Sequence, residues 1–177
     1  MKIRTATLDD AAALLAIYEP YVTNSPVSFE LEVPNVDEFK GRIAKLLGKF
    51  PWLVLEKDGE ILGYAYAAPF RERKAYQWSV ESTVYVKQGH HRKGVGAALY
   101  GKLLELLREQ GFVNVIGGIT LPNEGSRLLH EQFGYRQVSQ YKDAGFKHGR
   151  WYDVGYWQLQ FEKSEKPQEL KPPRSLP

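Results

Sequence analysis

The glycine-rich segment Gly89–Ala97 is the part of the sequence whose residue types point most directly to chemistry. The residues before it, Glu81–Val86, are β-branched and aromatic, as in a strand, and Leu99, Leu103 and Leu107 follow it at helical spacing. A helix therefore begins at the glycines. The first amides of a helix lack partners within it, and glycine lets a ligand approach the backbone closely. The segment predicts an anion site with a phosphate as its natural ligand.

Two familiar phosphate loops do not fit this segment. A Walker loop requires Gly-Lys-Ser/Thr, whereas Gly94 is followed by Val95 and Gly96. A dinucleotide-binding fingerprint requires a third glycine where Leu99 stands. What remains is a basic pair followed by Gly-x-Gly.

The composition excludes several classes of function. A chain of 177 residues forms one sizeable core, and its net charge of +3 is too balanced to favour nucleic acid as a partner. The basic residues cluster around Arg71–Lys74 and His90–Lys93, which fits small anionic ligands. Because cysteine is absent, disulfides, thiolate zinc sites and a cysteine nucleophile are excluded. We also predict no metal site of another kind. No apolar run approaches membrane-spanning length, so we expect a soluble cytoplasmic protein without a membrane partner.

Hydrophobic periodicity and turn residues divide the first half of the chain into two helices and a hairpin. We predict helices over Ala11–Tyr18 and Val36–Gly48, separated by a long irregular segment, Glu19–Pro34, of a length that is often functional. Two strands flank the turn signal Asp58-Gly59.

The second half predicts a crossover followed by a hairpin. After a short first strand over Lys2–Ala6 and the two hairpin strands, a long fourth strand over Tyr76–Val86 leads through the glycine loop and its helix to a fifth strand over Val113–Thr120. The right-handed crossover makes the fourth and fifth strands parallel. A short helix and two strands, Tyr135–Lys142 and Val154–Glu162, complete an α/β domain over residues 1–162. The tail, 163–177, is rich in Lys, Glu and Pro, and we expect it to be disordered.

The basic pair with Gly-x-Gly resembles the pyrophosphate loop of the GNAT acetyltransferase superfamily, in which His91 takes the place of the usual Gln or Arg. Asn123 and the segment His130–Tyr135 resemble a second superfamily motif. Ser28-Phe29-Glu30, Thr83–Val86 and Lys147–Trp157 are similar to the phosphinothricin (methionine sulfoximine) N-acetyltransferase branch. The resemblance extends from Lys2 to Phe161.

This resemblance implies a GNAT-type mixed, mostly antiparallel twisted sheet flanked by helices. It also implies acetyl-CoA as co-substrate, a small amino-acid-like amine as acceptor, direct attack in a ternary complex, and a homodimer. The alternatives are an acetyltransferase for protein amines or other small amines, and a non-catalytic CoA-binding module.

The cofactor residues that the resemblance implies lie in three segments. The strand before the loop would hydrogen-bond the pantetheine arm through its backbone, the loop would bind the pyrophosphate, and the start of the last helix would add further contacts. These residues are Val84, Tyr85 and Val86; His91, Arg92, Lys93, Gly94, Val95, Gly96 and Ala97; and Asn123 and Ser126.

The family places its proposed general base at Glu81. An amine must lose a proton before it attacks a thioester, and enclosure of a carboxylate raises its pKa toward working pH. A surface glutamate on a strand is the alternative. His130 occupies the position of the tyrosine that serves many superfamily members as general acid, so it either donates a proton to the leaving thiolate or packs against the cofactor.

The acceptor residues are predicted from charge and from the long loop. Arg71 and Arg73, with Glu72 between them, suit a carboxylate or phosphinate because guanidinium binds such groups bidentately; a solvated charged turn is the alternative. Phe29 and Glu30, from the long loop, would line the acceptor site and hold the ammonium group of the acceptor. His148 and Trp151 would reach the same pocket, from a second subunit if the chain dimerises.

Overall fold

The computed structural model describes all residues from Met1 to Pro177 and contains seven strands and four α-helices. The strands are β1 (Lys2–Thr5), β2 (Trp52–Lys57), β3 (Glu60–Pro69), β4 (Ser79–Val86), β5 (Asn114–Leu121), β6 (Arg136–Lys147) and β7 (Arg150–Gln160). The helices are α1 (Ala11–Thr23), α2 (Val36–Leu46), α3 (Val95–Gln110) and α4 (Glu124–Gln132). No helix is both long and apolar enough to cross a membrane.

The strands form one sheet in the order β1-β2-β3-β4-β5-β7-β6. Only β4 and β5 pair in parallel, across the crossover that contains α3, and every other pairing is antiparallel. The predicted mixed, mostly antiparallel sheet is confirmed.

Each face of the sheet carries its own apolar core. One face packs against α3 through the fully buried Leu99, Leu103 and Leu107, which are the residues of the predicted helical repeat. The opposite face packs against α1 and α2, with Leu14 and Ile43 among its buried residues. The glycine loop lies at the start of α3 and is therefore anchored by the first of these cores.

Three elements, one helix and two strands, extend beyond their predicted bounds. Helix α1 continues through Pro20 to Thr23, where the helix ends with the Asn24 amide bonded to the Pro20 carbonyl. Proline costs this helix one backbone hydrogen bond, while Tyr18 and Val22 remain buried on the sheet. Strands β6 and β7 extend to a tight turn at His148-Gly149, so the hairpin projects further than the predicted strands did.

Residues 163–177 form no helix or strand, but they lie along the body of the domain. The Trp78 indole N–H donates to the Gln168 carbonyl at 2.8 Å, and the Gln110 side chain donates to the Lys171 carbonyl at 2.9 Å. Near its end, the Leu176 amide donates to the Thr5 hydroxyl at 2.8 Å. The prediction of disorder rests on the composition of residues 163–177 alone. Their hydrogen-bond partners lie on distant elements of the domain, so the composition carries no information about these contacts.

Candidate active site

A cleft opens where β4 and β5 separate. The two strands pair only from Ser79 to Glu81 on β4 and from Asn114 to Ile116 on β5, although both continue beyond these residues. The rest of β4 therefore has β3 on one side and no strand on the other. A cleft of this shape exposes the backbone groups of one strand to a ligand.

The backbone alternation on β4 decides which residues face the cleft. The Lys87 amide donates to the Leu62 carbonyl on the β3 side. In an antiparallel pair successive residues alternate, so Val84 and Val86 turn their backbone groups toward the cleft. The backbone of Tyr85 faces β3, and its ring packs against Tyr18, Tyr21 and Tyr64. The structure thus turns Tyr85, which was predicted as a cofactor residue, away from the cleft.

The glycine loop has the geometry of an anion site. Gly94 has φ +82° and caps α3, and the first bond within the helix runs from the Ala98 amide to the Gly94 carbonyl. The amides of Val95, Gly96 and Ala97 consequently have no partner inside the helix. Arg92 and Lys93 stand exposed immediately before it. The predicted arrangement of amides and positive charge is present at one end of the cleft.

Tyr21 on α1 ties this loop to β4. Its hydroxyl donates to the Val86 carbonyl at 2.5 Å and lies 2.7 Å from Nε2 of His91. Because the single hydroxyl proton is given to the carbonyl, His91 Nε2 carries a hydrogen and donates to Tyr21. Partial burial lowers the pKa of His91, with a smaller contribution from His90. The structure therefore places His91, predicted as a cofactor residue, against α1.

Glu81 is the last residue of β4 that pairs with β5, so it lies at the root of the cleft, the point where the two strands begin to separate. The side chain is half-buried, and burial raises the pKa of its carboxyl while the positive charge of Arg71 offsets part of that rise. A carboxyl with a raised pKa is suited to exchange protons near neutral pH.

The two predicted arginines, Arg71 and Arg73, have different surroundings in the structure. Arg71, Glu72 and Arg73 are all exposed in the connection between β3 and β4. Arg71 lies over the ring of Phe70, 4.6 Å from its centroid, and its charge acts on Glu81. Arg73 instead precedes the short 3-10 turn Lys74–Tyr76. Arg71 is therefore the member of the pair that lies near the carboxylate.

A pocket of about 310 Å³ lies on the sheet face to which Glu81 points. Ile116, the partner of Glu81 in the sheet, shares that face with Gly118 and Thr120, because side chains alternate along β5. The pocket is lined by Val27, Phe29, Gly118, Thr120, Tyr141, Ala144, Val154 and Tyr156.

The other predicted acceptor residues occupy different places. Glu30 does not line this pocket and pairs with Arg42 at 2.5 Å. His148 and Trp151 are exposed at the turn of the β6–β7 hairpin, and neither lines the pocket. Phe29 is thus the predicted acceptor residue that reaches it.

A buried polar network lies on the opposite face of the sheet. Ser82 Oγ is 3.0 Å from the hydroxyls of both Tyr100 and Tyr135, and the Tyr100 hydroxyl is 2.8 Å from His130 Nε2. His130 Nδ1 lies 2.7 Å from the Ser126 carbonyl, so Nδ1 carries a hydrogen and the neutral ring accepts at Nε2. Burial lowers the pKa of His130, which favours this neutral form.

Asn123 and Ser126, both predicted as cofactor residues, form the N-terminal cap of α4. The Asn123 side-chain oxygen accepts from the Ser126 amide at 3.1 Å, which is an N-cap bond. Sequence reasoning gave no role to Tyr21, Ser82, Tyr100 or Tyr135. Tyr135 did belong to the quoted motif His130–Tyr135, whereas Tyr21 lay beyond the predicted end of the first helix.

Comparison with known proteins agrees with this geometry. A family model described as an acetyltransferase (GNAT) domain matches residues 3–155. The chain belongs to the GNAT acetyltransferases. It is an acetyl-CoA-dependent N-acetyltransferase, as the names of its relatives and the bound ligand of a structural neighbour support.

Two proteins of known function and one solved structure are similar to this GNAT enzyme over nearly their whole length. A phosphinothricin N-acetyltransferase from Streptomyces viridochromogenes is 43% identical over 97% of this chain and 94% of its own. An L-methionine sulfoximine/L-methionine sulfone acetyltransferase from Salmonella typhimurium is 32% identical over 94% of this chain and 98% of its own. The structure of a phosphinothricin acetyltransferase from Sinorhizobium meliloti in complex with acetyl-CoA superimposes with a TM-score of 0.91, at 32% identity, over 95% of this chain and 93% of its own.

The residues of the cleft fit acetyl-CoA. Free amides at the start of α3 suit a diphosphate, and the cleft-facing backbone of Val84 suits the amides of a pantetheine arm. A Cβ on Gly96 would lie at ordinary contact distance from two neighbouring side chains, 3.4 Å from Leu129 and 3.6 Å from Val86. The structure contains no group of three or more side chains that could hold a metal ion.

Proposed function

We propose that this GNAT enzyme acetylates the α-amine of a small amino acid of the phosphinothricin, methionine sulfoximine or methionine sulfone type. The observation that carries the proposal is the half-buried Glu81 at the root of the cleft, with Arg71 and the 310 Å³ pocket on its side of the sheet. The names of the Streptomyces and Salmonella relatives support this class of acceptor.

In this proposal one set of residues activates the acceptor amine, and another set binds the donor, acetyl-CoA. Acetyl-CoA supplies an acetyl thioester, whose carbonyl carbon a free amine attacks directly in a ternary complex. The C–N bond of the amide forms, the C–S bond breaks, and CoA leaves as a thiolate that takes up the second proton of the amine to become the free thiol. Glu81 takes the proton from the acceptor ammonium, directly or through water, so that the nitrogen lone pair becomes available. The amides at the start of α3, with Arg92 and Lys93, bind the diphosphate. A cleft-facing amide near Val86 donates to the thioester carbonyl, where negative charge develops.

Acceptor recognition combines one charge with an aromatic pocket. Arg71 binds the carboxylate or the phosphinate of the acceptor through its guanidinium. Phe29, Tyr141 and Tyr156 enclose the short methyl-bearing side chain. We take this pocket of about 310 Å³ as the acceptor site, and the choice between free amino acids and protein amines is left to the panel of amines below.

The test is release of CoA thiol from acetyl-CoA across a panel of amines. The panel contains phosphinothricin, methionine sulfoximine, methionine sulfone, ordinary amino acids and a peptide. We expect turnover with the first three and little with the peptide. Preference for the peptide would identify a protein acetyltransferase, and binding of acetyl-CoA without thiol release from any amine would identify a non-catalytic module.

We also propose that the enzyme is a homodimer formed through the β6–β7 hairpin. Strand β6 is an edge of the sheet, and Val138, Tyr141, Phe146 and Trp151 on this hairpin are each more than half exposed. Apolar exposure along a long unpaired edge favours association with another chain. Light scattering after gel filtration tests this, and the double variant Phe146→Asp, Trp151→Asp should be monomeric. A monomeric wild-type protein would contradict the proposal.

A further inference from the structure

Lys147, at the end of β6, is buried although it is a lysine, with 4% of its surface exposed. Its ammonium group donates to the carbonyls of Val22, at 2.5 Å, and Ser28, at 2.7 Å. Val22 lies in the last turn of α1, where carbonyls lack partners within the helix and a positive charge is favoured. One side chain thus connects the end of α1 to the loop that follows it.

Side-chain contacts hold the shape of this loop. Residues 24–34 contain no helix or strand, so side-chain contacts must hold them. Ser28 is buried; its hydroxyl lies 2.6 Å from that of Tyr18 and accepts from the Glu30 amide at 3.2 Å. Lys147 holds the carbonyl of the same serine. Ser28 is therefore fixed on both sides, and Phe29 follows it directly.

Gly145 completes the contact between β6 and this loop. A Cβ built on Gly145 would overlap the ring of Phe29, so the ring occupies the space that the missing side chain leaves. Side chains alternate along a strand, so Gly145 and Lys147 share one face of β6, while Phe146 is 55% exposed. The two contacts act on consecutive loop residues, Ser28 and Phe29, and Phe29 lines the pocket on the sheet face to which Glu81 points.

We propose that Lys147 and Gly145 are positioning residues that set the acceptor specificity of the enzyme by fixing Phe29 at its pocket. The inference rests on the proposed function, because it takes this pocket as the acceptor site. Lys147 ties the loop backbone in place, and Gly145 admits the aromatic ring. Neither residue lines the pocket itself.

The test compares Lys147→Met with Lys142→Met, an exposed lysine on the same strand. We expect amide hydrogen exchange of residues 24–30 to become about ten-fold faster or more in Lys147→Met only. The KM for the amino acid should rise by about ten-fold, while the KM for acetyl-CoA stays within about two-fold. Gly145→Ala, which leaves the lysine in place, should reproduce the change in KM, and it serves as the second variant if Lys147→Met does not fold.

Two results would overturn the inference. One is unchanged loop exchange in a folded Lys147→Met variant, and the other is an equal rise of both KM values. The exchange measurement needs no acceptor, so it separates this inference from the proposed function. If the wild-type enzyme acetylates none of the amino acids, the proposed function fails, whereas the exchange result still decides whether Lys147 holds the loop.

Discussion

The side chains of Tyr21 and His91 are hydrogen-bonded over 2.7 Å, which joins the last part of α1 to the glycine loop. The same tyrosine donates to the Val86 carbonyl at the end of β4. Three segments that meet at the cleft are thus held by one hydroxyl group. The residues are 70 and 65 positions apart in the chain, so this bond exists only in the folded protein.

Removal of that hydroxyl should loosen the loop. Tyr21→Phe loses two hydrogen bonds, each worth about 1 kcal/mol, and we expect acetyl-CoA to bind about five-fold or more weakly. Calorimetric titration with acetyl-CoA measures this. Tyr76→Phe, a change of the same chemistry at an exposed tyrosine, is the control and should leave the affinity unchanged. Equal affinities for Tyr21→Phe and the wild type would show that the bond does not shape the cofactor site.

Gly96→Val should weaken acetyl-CoA binding by about ten-fold or more, because branched side-chain atoms would enter the cleft next to the free amides. The Cβ itself meets Leu129 at 3.4 Å, so we expect the variant to fold. Ala98→Val, at an exposed position of the same helix, is the matched control. Calorimetry on both variants compares them, and unchanged affinity in folded Gly96→Val would remove the loop from the cofactor site.

Glu81→Gln preserves the shape of the side chain and removes its ability to accept a proton. Turnover at neutral pH should fall by about a hundred-fold or more, while acetyl-CoA affinity is retained. A base works only above its pKa, and burial raises the pKa of Glu81, so the wild-type acidic limb should lie above that of an ordinary carboxyl. Higher pH should restore part of the lost rate because it supplies free amine. A variant that keeps the wild-type rate and acidic limb would make Glu81 structural.

Arg71→Gln should affect both substrate binding and the base. Loss of the positive charge destabilises the Glu81 carboxylate and raises its pKa further, so the acidic limb of the rate profile should move to higher pH. The KM for the amino acid should rise, and that for acetyl-CoA should change little. Lys74→Gln removes a nearby exposed charge and provides the control. An unmoved limb together with equal losses for both substrates would assign Arg71 to another role.

His130→Gln distinguishes between the two roles predicted for this residue. A neutral imidazole that accepts from Tyr100 at Nε2 has no proton there to donate, so we expect a loss of turnover of about ten-fold or less. The alkaline limb of the pH–rate profile should be retained. A loss of about a hundred-fold with disappearance of that limb would instead establish His130 as the general acid.

The sequence by itself determined the turns and helix starts of this enzyme, because these depend on residues that are adjacent in the chain. Gly94 ends the turn before α3 because the backbone there needs a positive φ. Asp58-Gly59 likewise forms the hairpin turn with positive φ at both residues. The strand, loop and helix around Gly89–Ala97 follow from local periodicity and turn residues.

Only the tertiary structure decided which distant groups meet. It placed Arg71 rather than Arg73 near Glu81, paired His91 with Tyr21, and buried Lys147 against carbonyls more than 100 residues away. It also laid the tail against Trp78 and Thr5. A charged or polar side chain has no fixed role in the sequence, because its partner is chosen by the packing of the elements that carry the two groups.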